Sequence, residues 1–594
     1  MIKNRLIDDE VLERPFNWKQ FSRLLSYLKP YKSKLLLSLF LMITAALCSL
    51  SGPYFTKLAI DNYISPGKLE GIHWIILLFF LSNLISALCL RYRVKIMDTL
   101  GRSAIAKLRE DLFDHIQSLS LSFFDSRPAG KIMVRVINDV NSLMGLFTDG
   151  IINVLIDCAT IFVILGLMLS LNVKLTLISI STIPLLILIA FKLKRMILTR
   201  WQNVRRKSSN MNAYLHETLA GMRVTQAFVR EKENARIQNE LNEDIKTSWM
   251  KAVIVNHTFW PSLNVVSAIG KALVFFFGVR MIDTGAVTIG ILTAIISYLG
   301  RFWDPLNKLS NFYNQILIAM ASTERIFEIM DTPPLIKDVP NAVDIPEIKG
   351  EVEFDNVTFG YDTDKIVLHN VSFRVNPGET IALVGPTGAG KSTVVNLISR
   401  FYDTTSGEVR IDGYNVKDVT LKSLRKQMGV MLQDSFIFSG TIMDNIRYGK
   451  IDATEEEIIA CAKAVHAHDF IVQMENGYYT EVNERGSRLS IGQKQLISFA
   501  RALLANPRIL ILDEATSSID THTELLIQKA IETVLSGRTS FVIAHRLSTI
   551  RKADRIMVVD NGQIAECGNH YELLKAKGIY YNLCKSQYRF LDAV

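Results

Sequence analysis

Glycines at 385, 388 and 390, followed by Lys391 and Ser392, have a spacing that suits holding phosphate oxygens. In Gly385-Pro386-Thr387-Gly388-Ala389-Gly390-Lys391-Ser392-Thr393 the glycines let successive backbone N–H groups turn inward. The lysine supplies a point charge for terminal phosphates, and the serine hydroxyl can ligate Mg2+. The flanks agree: Ile381-Ala-Leu-Val384 reads as a buried strand running into the loop, and Ser392 to Ile398 opens a helix after it. A second apolar strand, Ile509-Leu-Ile-Leu512, ends in Asp513 and Glu514. Its first carboxylate can hold the metal through water, and its second can orient or deprotonate an attacking water. Between the two strands lies Leu489-Ser490-Ile491-Gly492-Gln493, just ahead of an apparent helix whose N-terminus offers Ser490 and the backbone near Gly492 to a phosphate.

Such residues need a soluble α/β domain with a largely parallel sheet to hold them. From Gly350 the pattern supplies one, with short β-branched strands such as Val352-Glu-Phe-Asp-Asn-Val-Thr-Phe359 alternating with helices. The first half of the 594 residues is different. A 49% hydrophobic share beside 21% charged residues implies that the apolar residues are concentrated, and they are concentrated there. Crossing a hydrocarbon core of about 30 Å takes roughly 20 apolar residues as a helix. Six stretches qualify: Leu35 to Phe55, Ile72 to Leu90, Gly150 to Leu171, Leu175 to Leu193, Val253 to Met281 and Ala286 to Phe302. The fold class is therefore multidomain, an all-α six-helix transmembrane domain followed by an α/β P-loop NTPase. The divisions fall at 1–34 (an amino-terminal segment with an amphipathic elbow helix), 35–330 (membrane domain), 331–349 (a proline-punctuated linker) and 350–594 (nucleotide domain).

The net charge of +9 is read as membrane topology and not as nucleic-acid binding, because Lys and Arg flank the apolar stretches and fill the two long connections, each about sixty residues. That places those connections and both termini in the cytoplasm of a cell-membrane protein. The start, Met1 to Glu10, carries acidic residues and no apolar core, unlike a signal or transit peptide. Phe16, Trp18, Phe21, Leu24, Leu25 and Leu28 interleave with Lys19, Arg23 and Lys29, as in a helix lying along membrane lipid or packed on protein. His466 and His468 are not read as metal ligands. The long connections continue the membrane helices, interrupted at Leu119 to Gly130 by Pro128 and Gly130, and at Tyr214 to Val224 around Gly221.

With the glycine loop, the LSxGQ pentad just upstream of the acidic strand end, and six spans, nearly the whole chain resembles the exporter-type ABC transporters, in particular their bacterial half-transporters. The resemblance implies an ATP hydrolase coupled to transport, with ATP and Mg2+ as cofactors. It makes Tyr361 the adenine-stacking aromatic, Gln433 the Q-loop residue that reaches metal and water, and His545 the switch histidine at the γ-phosphate; Ser517 to Asp520 matches the D-loop. Catalysis is expected from Glu514, His545 and Gln433, and metal binding from Ser392, Gln433 and Asp513. Nucleotide contacts are expected from Tyr361, residues 385–393, Ser490, Gly492 and Gln493. The interrupted connections resemble the family's coupling regions.

In the family the pentad meets ATP held by the other nucleotide domain, so one chain with one such domain needs a second half-transporter. The pentad usually has Gly third, where this chain has Ile491, and the upstream Thr480 to Gly486 carries Asn483 where Gly is usual. A β-branched residue in a tight turn restricts the backbone, which suggests a slow ATP site. An altered pentad beside an intact Glu514 resembles the glutamate-retaining subunit of heterodimeric multidrug exporters, and a heterodimer is favoured over a homodimer.

The expected cargo is a hydrophobic or amphipathic small molecule, drug or lipid. The alternatives are an exporter-fold importer of a metal chelate and a non-transporting ATP-gated or regulatory membrane ATPase. Asp157 and Lys271, charged at membrane depth, are candidate cavity contacts or structural charges. Trp260, Phe275, Phe276, Phe277, Tyr298, Phe302 and Trp303 are a candidate cavity lining or a packing and lipid-facing set.

Overall fold

The computed structural model describes residues 17–68, 70–362, 365–431, 435–514, 520–544 and 547–587. The chain divides into two units, one holding residues up to Ile116 with Gly130–Asp331, the other Gln117–Ala129 with Thr332 onward.

The first unit is helical. Among the described residues, five runs are long and apolar enough to cross a membrane: Lys29–Ile64, Ile72–Ser118, Ala129–Leu171, Val173–Ala220 and Glu231–Asp283. The sixth expected span is the shorter apolar stretch Ile289–Phe302, which opens helix Ile289–Met330. Helix Ile72–Ser118 has 47 residues and Glu231–Asp283 has 53. At about 1.5 Å per residue each exceeds twice the hydrocarbon thickness, so the long connections are helical extensions as the sequence indicated. Large apolar side chains lie exposed along these helices, among them Phe40, Phe80, Leu188 and Phe191. Water would not tolerate so much contiguous apolar surface; lipid does.

The fourth span is not one helix. It breaks between Val173–Ile180 and Ile183–Ala220, where Ser179 and Thr182 hydroxyls donate back to the carbonyls of Thr176 and Ser179 and Pro184 enters the first turn of the second piece. Inside the unit, Tyr298 and Phe302 join Leu50, Ile164, Leu263 and Val274 in a buried core. The Tyr298 hydroxyl donates to Leu50 O at 2.9 Å. Asp61 caps the start of helix Ile289–Met330, accepting from Thr288 Oγ1 at 2.7 Å and from Gly290 N at 2.9 Å.

The elbow helix, Trp18–Ser26, starts on an Asn17 cap. Its apolar face is covered by protein, with Phe21, Leu24 and Leu28 buried, while Trp18 is exposed. Arg23 sits over the Phe327 ring at 4.2 Å and donates to Asp331 Oδ1 at 2.5 Å.

Near the end of helix Ile289–Met330, buried Asp139 accepts from Arg325 Nη2 at 2.5 Å and Nε at 3.0 Å, Arg135 Nη1 at 2.9 Å and Ser322 Oγ at 3.1 Å. Removing the carboxylate leaves two guanidiniums facing each other across a half-dry site. Asp139→Ala is therefore expected to cost about 2 to 3 kcal/mol, read as a lower melting temperature of the purified protein. An unchanged melting temperature would show the cluster to be dispensable.

The second unit is α/β, with strands β1 (Val352–Asp362), β2 (Lys365–Val375), β3 (Thr380–Val384), β4 (Ser406–Ile411), β5 (Tyr414–Asn415), β6 (Met428–Met431), β7 (Gly440–Thr441), β8 (Glu481–Val482), β9 (Ile509–Glu514), β10 (Thr539–Ala544), β11 (Arg555–Asp560) and β12 (Gln563–Gly568). The expectation of one largely parallel sheet is corrected at Val352 to Phe359. That run lies in a separate antiparallel sheet of order β2-β1-β4-β5. The sheet that carries the chemistry has the order β12-β11-β3-β10-β9-β6, parallel except for the β11/β12 edge pair.

Alternation along the strands explains its burial on both faces. Leu510, Leu512, Val542 and Ala544 enter one core with Leu496, Ile497 and Ala500, whereas Ile511, Phe541, Ile543 and Leu383 enter the other with Val394, Leu397 and Phe354. The proline-punctuated segment is tied to this unit: Ile345 and Ile348 are buried in its core, and Arg400 donates to Lys337 O at 3.2 Å.

Candidate functional site

Register brings the strand ends next to Gly385, and those carrying Asp513 and Glu514, to one edge of the parallel sheet. Ile543 of β10 pairs with Leu383 of β3 on one side and with Asp513 of β9 on the other. The next residues along the three strands are therefore Val384 leading into Gly385, Ala544 leading to His545, and Glu514 paired with Ala544. Met431 of β6 pairs with Leu512, so the strand that precedes Gln433 reaches the same edge. Gln433, His545 and the Ser517 to Ile519 part of the D-loop lie outside the described residues.

The glycine loop adopts the backbone its sequence requires. Gly385, Gly388 and Gly390 have φ of 147°, 84° and 110°, values that side-chain-bearing residues rarely reach. Pro386, Thr387 and Ser392 are exposed and Ala389 is buried. Helix Lys391–Ile398 begins directly at the loop. Lys391 is buried, and its Nζ donates to the carbonyls of Gly385 and Pro386, each at 2.9 Å. Burial holds this ammonium below the usual lysine value, against the pull of the Asp513 carboxylate. A buried cation beside inward-turned glycines fits an anionic phosphate chain, and Ser392 with Asp513 supplies the hard oxygen donors that suit Mg2+.

Tyr361 lies at the end of β1, half exposed, with its hydroxyl 3.1 Å from Thr393 Oγ1. The pentad meets its helix as expected: Ser490 is the N-cap of Ile491–Ala505, accepting from Gln493 N at 3.2 Å, while Gln493 Oε1 accepts from Ser490 N at 2.9 Å. The Gln493 side chain thus holds Ser490 in place, and Gly492 is buried. The reason given for Ile491 is corrected. It occupies the first position of an α-helix, where a β-branched residue fits, and its side chain is 53% exposed. What it changes is the bulk on the pentad surface. Asn483 is likewise unstrained, with φ −70°. The pentad helix is anchored through Arg501, which donates to Asn445 O at 2.8 Å and to Phe436 O at 3.1 Å.

The remaining candidates separate. Asp157 is buried with Lys308 Nζ 3.8 Å away, a partner the sequence reading missed, while Lys271 is exposed. The aromatic set does not form one lining: Tyr298 and Phe302 are core, Trp260, Phe275, Phe276 and Phe277 are exposed, and the Trp303 side chain lies outside the described residues. His468 Nδ1 is 3.0 Å from the Tyr478 hydroxyl.

Two residues gave no signal in the sequence. Tyr402 donates to Asp125 Oδ2 at 2.5 Å, and Asp125 belongs to short helix Leu121–Ser126, in the segment that packs as part of the ATPase unit. Leu121 and Phe124 line, with Phe401, Leu421 and Arg425, a cavity of about 350 Å³ there. The second interruption falls at Gly221, which ends the long helix, and short helix Met222–Ala227 follows.

A phosphate-binding loop and an acidic strand end on one sheet edge, in a chain that also carries membrane-length helices, define a membrane-bound P-loop ATPase. The particular family follows from comparison. Residues 35–306 match the ABC transporter transmembrane region, and residues 368–517 match the ABC transporter family. An uncharacterized ABC transporter ATP-binding protein of Bacillus subtilis, YknV, is 47% identical over 98% of this chain and 96% of its own length. An ATP-dependent lipid A-core flippase of Syntrophus aciditrophicus is 38% identical over 96% of this chain and 94% of its own. A solved bacterial Atm1-family ABC exporter with ATP bound superposes with a TM-score of 0.77 at 30% identity, covering 94% of this chain and 98% of that one. The chain belongs to the ABC transporter family, with membrane and ATPase domains fused. It is a membrane protein that binds ATP and couples its hydrolysis to transport.

Proposed function

We propose that the chain is one half of a dimeric exporter that moves an amphipathic lipid or drug-like molecule out of a bacterial cell, by alternating access driven by closure of two ATPase units on ATP. The observation that carries the dimer is exposed apolar surface at two places. Leu219, Val224, Phe228 and Val229 are exposed around the second helical interruption, and Phe436, Phe438, Tyr448 and Ile451 are exposed on the ATPase unit. Such patches mark protein contacts, and a second chain offers matching surfaces to both. The lipid A-core flippase likeness supports an amphipathic cargo. Lys and Arg in the long helical extensions support cytoplasmic termini.

In this reading Tyr361 stacks on adenine, residues 385–393 cradle the phosphates, and Lys391 exchanges its two carbonyl partners for phosphate oxygens. Ser392, Asp513 and Gln433 would hold Mg2+, which neutralises phosphate charge when bound. Glu514 orients the attacking water, and His545 contacts the γ-phosphate. Ser490 and the backbone at Gly492, braced by Gln493, meet the ATP of the partner chain.

The bulk of Ile491 stands at that meeting point and slows the site it completes, which favours an unlike partner with an intact pentad. Ile491→Gly is expected to raise ATP turnover about tenfold, a difference of roughly 1.4 kcal/mol in barrier. Unchanged turnover would remove the argument for unequal sites. The partner is tested by expression alone: a stable, fully transport-coupled dimer of this one chain would refute the heterodimer. Direction is tested in inside-out vesicles with a fluorescent phospholipid. ATP-dependent movement into the vesicle lumen is expected, and ATP-dependent movement the other way would make the protein an importer.

A further inference from the structure

The elbow helix Trp18–Ser26, the turn after it and helix Ile72–Ser118 line a cavity of about 360 Å³, within the range of small-ligand clefts. Arg23, Tyr27, Tyr31, Lys107 and Asp111 are among its lining residues. Carboxylates fix both cations without exhausting their donors. Arg23 uses Nη1 on Asp331, while Lys107 Nζ reaches Glu110 Oε2 at 3.1 Å and Asp111 Oδ1 at 3.0 Å. A guanidinium carries five N–H donors and an ammonium three, so each keeps at least one for a ligand. The Tyr27 hydroxyl also donates to Asp111; burial and then that negative charge raise its pKa to about 12, so it stays protonated at neutral pH.

The depth of the cavity points to lipid. Tyr31 and Lys107 each stand about 35 residues from the short connection at 65–71, which at about 1.5 Å per residue is about 50 Å along the helix axis. A bilayer with its headgroups is about 40–45 Å thick and membrane helices tilt by about 20°. The cavity therefore lies at the headgroup layer on the amino-terminal side. Beyond Tyr31, toward the hydrocarbon, Leu36, Phe40, Ile43 and Leu47 are exposed at the spacing of one helix face, a stripe along which an acyl chain can lie. Residues 17–34 hold Lys19, Arg23, Lys29, Lys32 and Lys34 and no acidic residue. All five are exposed, and among the described residues only Arg23 of the five has a carboxylate partner.

We infer that this cavity binds the headgroup of an anionic phospholipid, and that phosphatidylglycerol is the class it fits. The phosphate takes the spare donors of Arg23 and Lys107. The glycerol hydroxyls donate to the lone pairs of Asp111 that Tyr27 and Lys107 leave open. The exposed lysines around the cavity draw the anion to it, and the acyl chain follows the stripe on the first span. A choline headgroup offers no hydroxyl and brings a cation toward those lysines, so it is disfavoured. The site is separate from the nucleotide loop and from Asp157 and Lys271, and it rests on no assumption about cargo.

The test uses the purified full-length protein, delipidated in detergent, with bound lipid counted by native mass spectrometry. Dioleoyl phosphatidylglycerol is compared with dioleoyl phosphatidylcholine and with glycerophosphoglycerol, the same headgroup without chains. Phosphatidylglycerol is expected to bind about fivefold or more tightly than either. Lys107→Gln and Arg23→Gln should each weaken it about fivefold, whereas Lys34→Gln, which removes the same charge just outside the cavity lining, should cost less than about twofold. Lys107 is exposed on its helix, so its replacement leaves the fold intact. If Arg23→Gln, which also loses Asp331, lowers the melting temperature without lipid, Lys107→Gln alone decides. Phosphatidylglycerol affinity within twofold of wild type in Lys107→Gln would overturn the inference. So would equal binding of phosphatidylcholine, or an equal loss in Lys34→Gln, the pattern of diffuse attraction to a basic segment. Glycerophosphoglycerol binding as tightly as the lipid would make the cavity a soluble-anion site and overturn the lipid reading.

Discussion

Glu514→Gln is expected to lower ATP turnover by about 10² to 10³ while Mg-ATP still binds, because in the proposed reading it removes the carboxylate that orients the attacking water and leaves the residues proposed to hold the phosphates untouched. The strand register is the reason to place the effect here. Glu514 closes β9 opposite Ala544, one residue beyond Asp513, at the edge where β3 delivers Gly385. The amide is isosteric, so β9 keeps its pairing and the fold has no reason to change. The measurement is phosphate release beside Mg-ATP affinity in the same preparation. A variant that hydrolyses within threefold of wild type would mean that another group positions the water. Lost binding together with lost turnover would mean that Glu514 supports the cradle and not the chemistry.

The parts of this site that are local in sequence were legible from it. The glycine loop between a buried strand and a helix is a single continuous motif, and the structure gives all three pieces in order, from β3 to helix Lys391–Ile398. The pentad ahead of its helix was equally legible, because Ser490 and Gln493 form a capping box over three residues.

What the sequence could not give was pairing between distant segments. Val352 to Phe359 alternates in the same way whether its neighbours run parallel or antiparallel, so its membership of the antiparallel sheet was invisible. The aromatic set at 260–303 shares a composition but not a location, since helical rotation sends Tyr298 into the core and Phe275 outward. Asp157 was legible as a buried charge, but Lys308 as its neighbour was not. Ile491 shows a different limit: the departure from the motif was visible, whereas its helical backbone was not, and the steric reason replaces the conformational one. Asp125 and Tyr402 mark the extreme, two ordinary residue types joined only by the fold.

Gly385→Ala should be the most damaging single methyl in the ATPase unit's nucleotide loop. An ideal Cβ at Gly385 would lie 2.1 Å from the carbonyl oxygen of Val559, and the backbone there has φ +147°. The obstacle is main chain at the end of β11, which pairs with β3, so no rotamer change relieves it. Either β3 and β11 separate or the loop leaves the conformation that turns its N–H groups toward phosphate. Gly388 provides the control. Its φ is +84°, but a Cβ there meets nothing within 4 Å. Gly388→Ala therefore carries only the backbone penalty, about 1 to 2 kcal/mol, whereas Gly385→Ala adds the overlap and should exceed about 3 kcal/mol. Thermal melting of the purified full-length protein, with and without Mg-ATP, reads both effects. Gly385→Ala should melt well below Gly388→Ala and lose the stabilisation that Mg-ATP gives wild type. Equal melting of the two variants, with Mg-ATP stabilising Gly385→Ala normally, would show that the loop adapts by a route that the β3–β11 pairing does not allow.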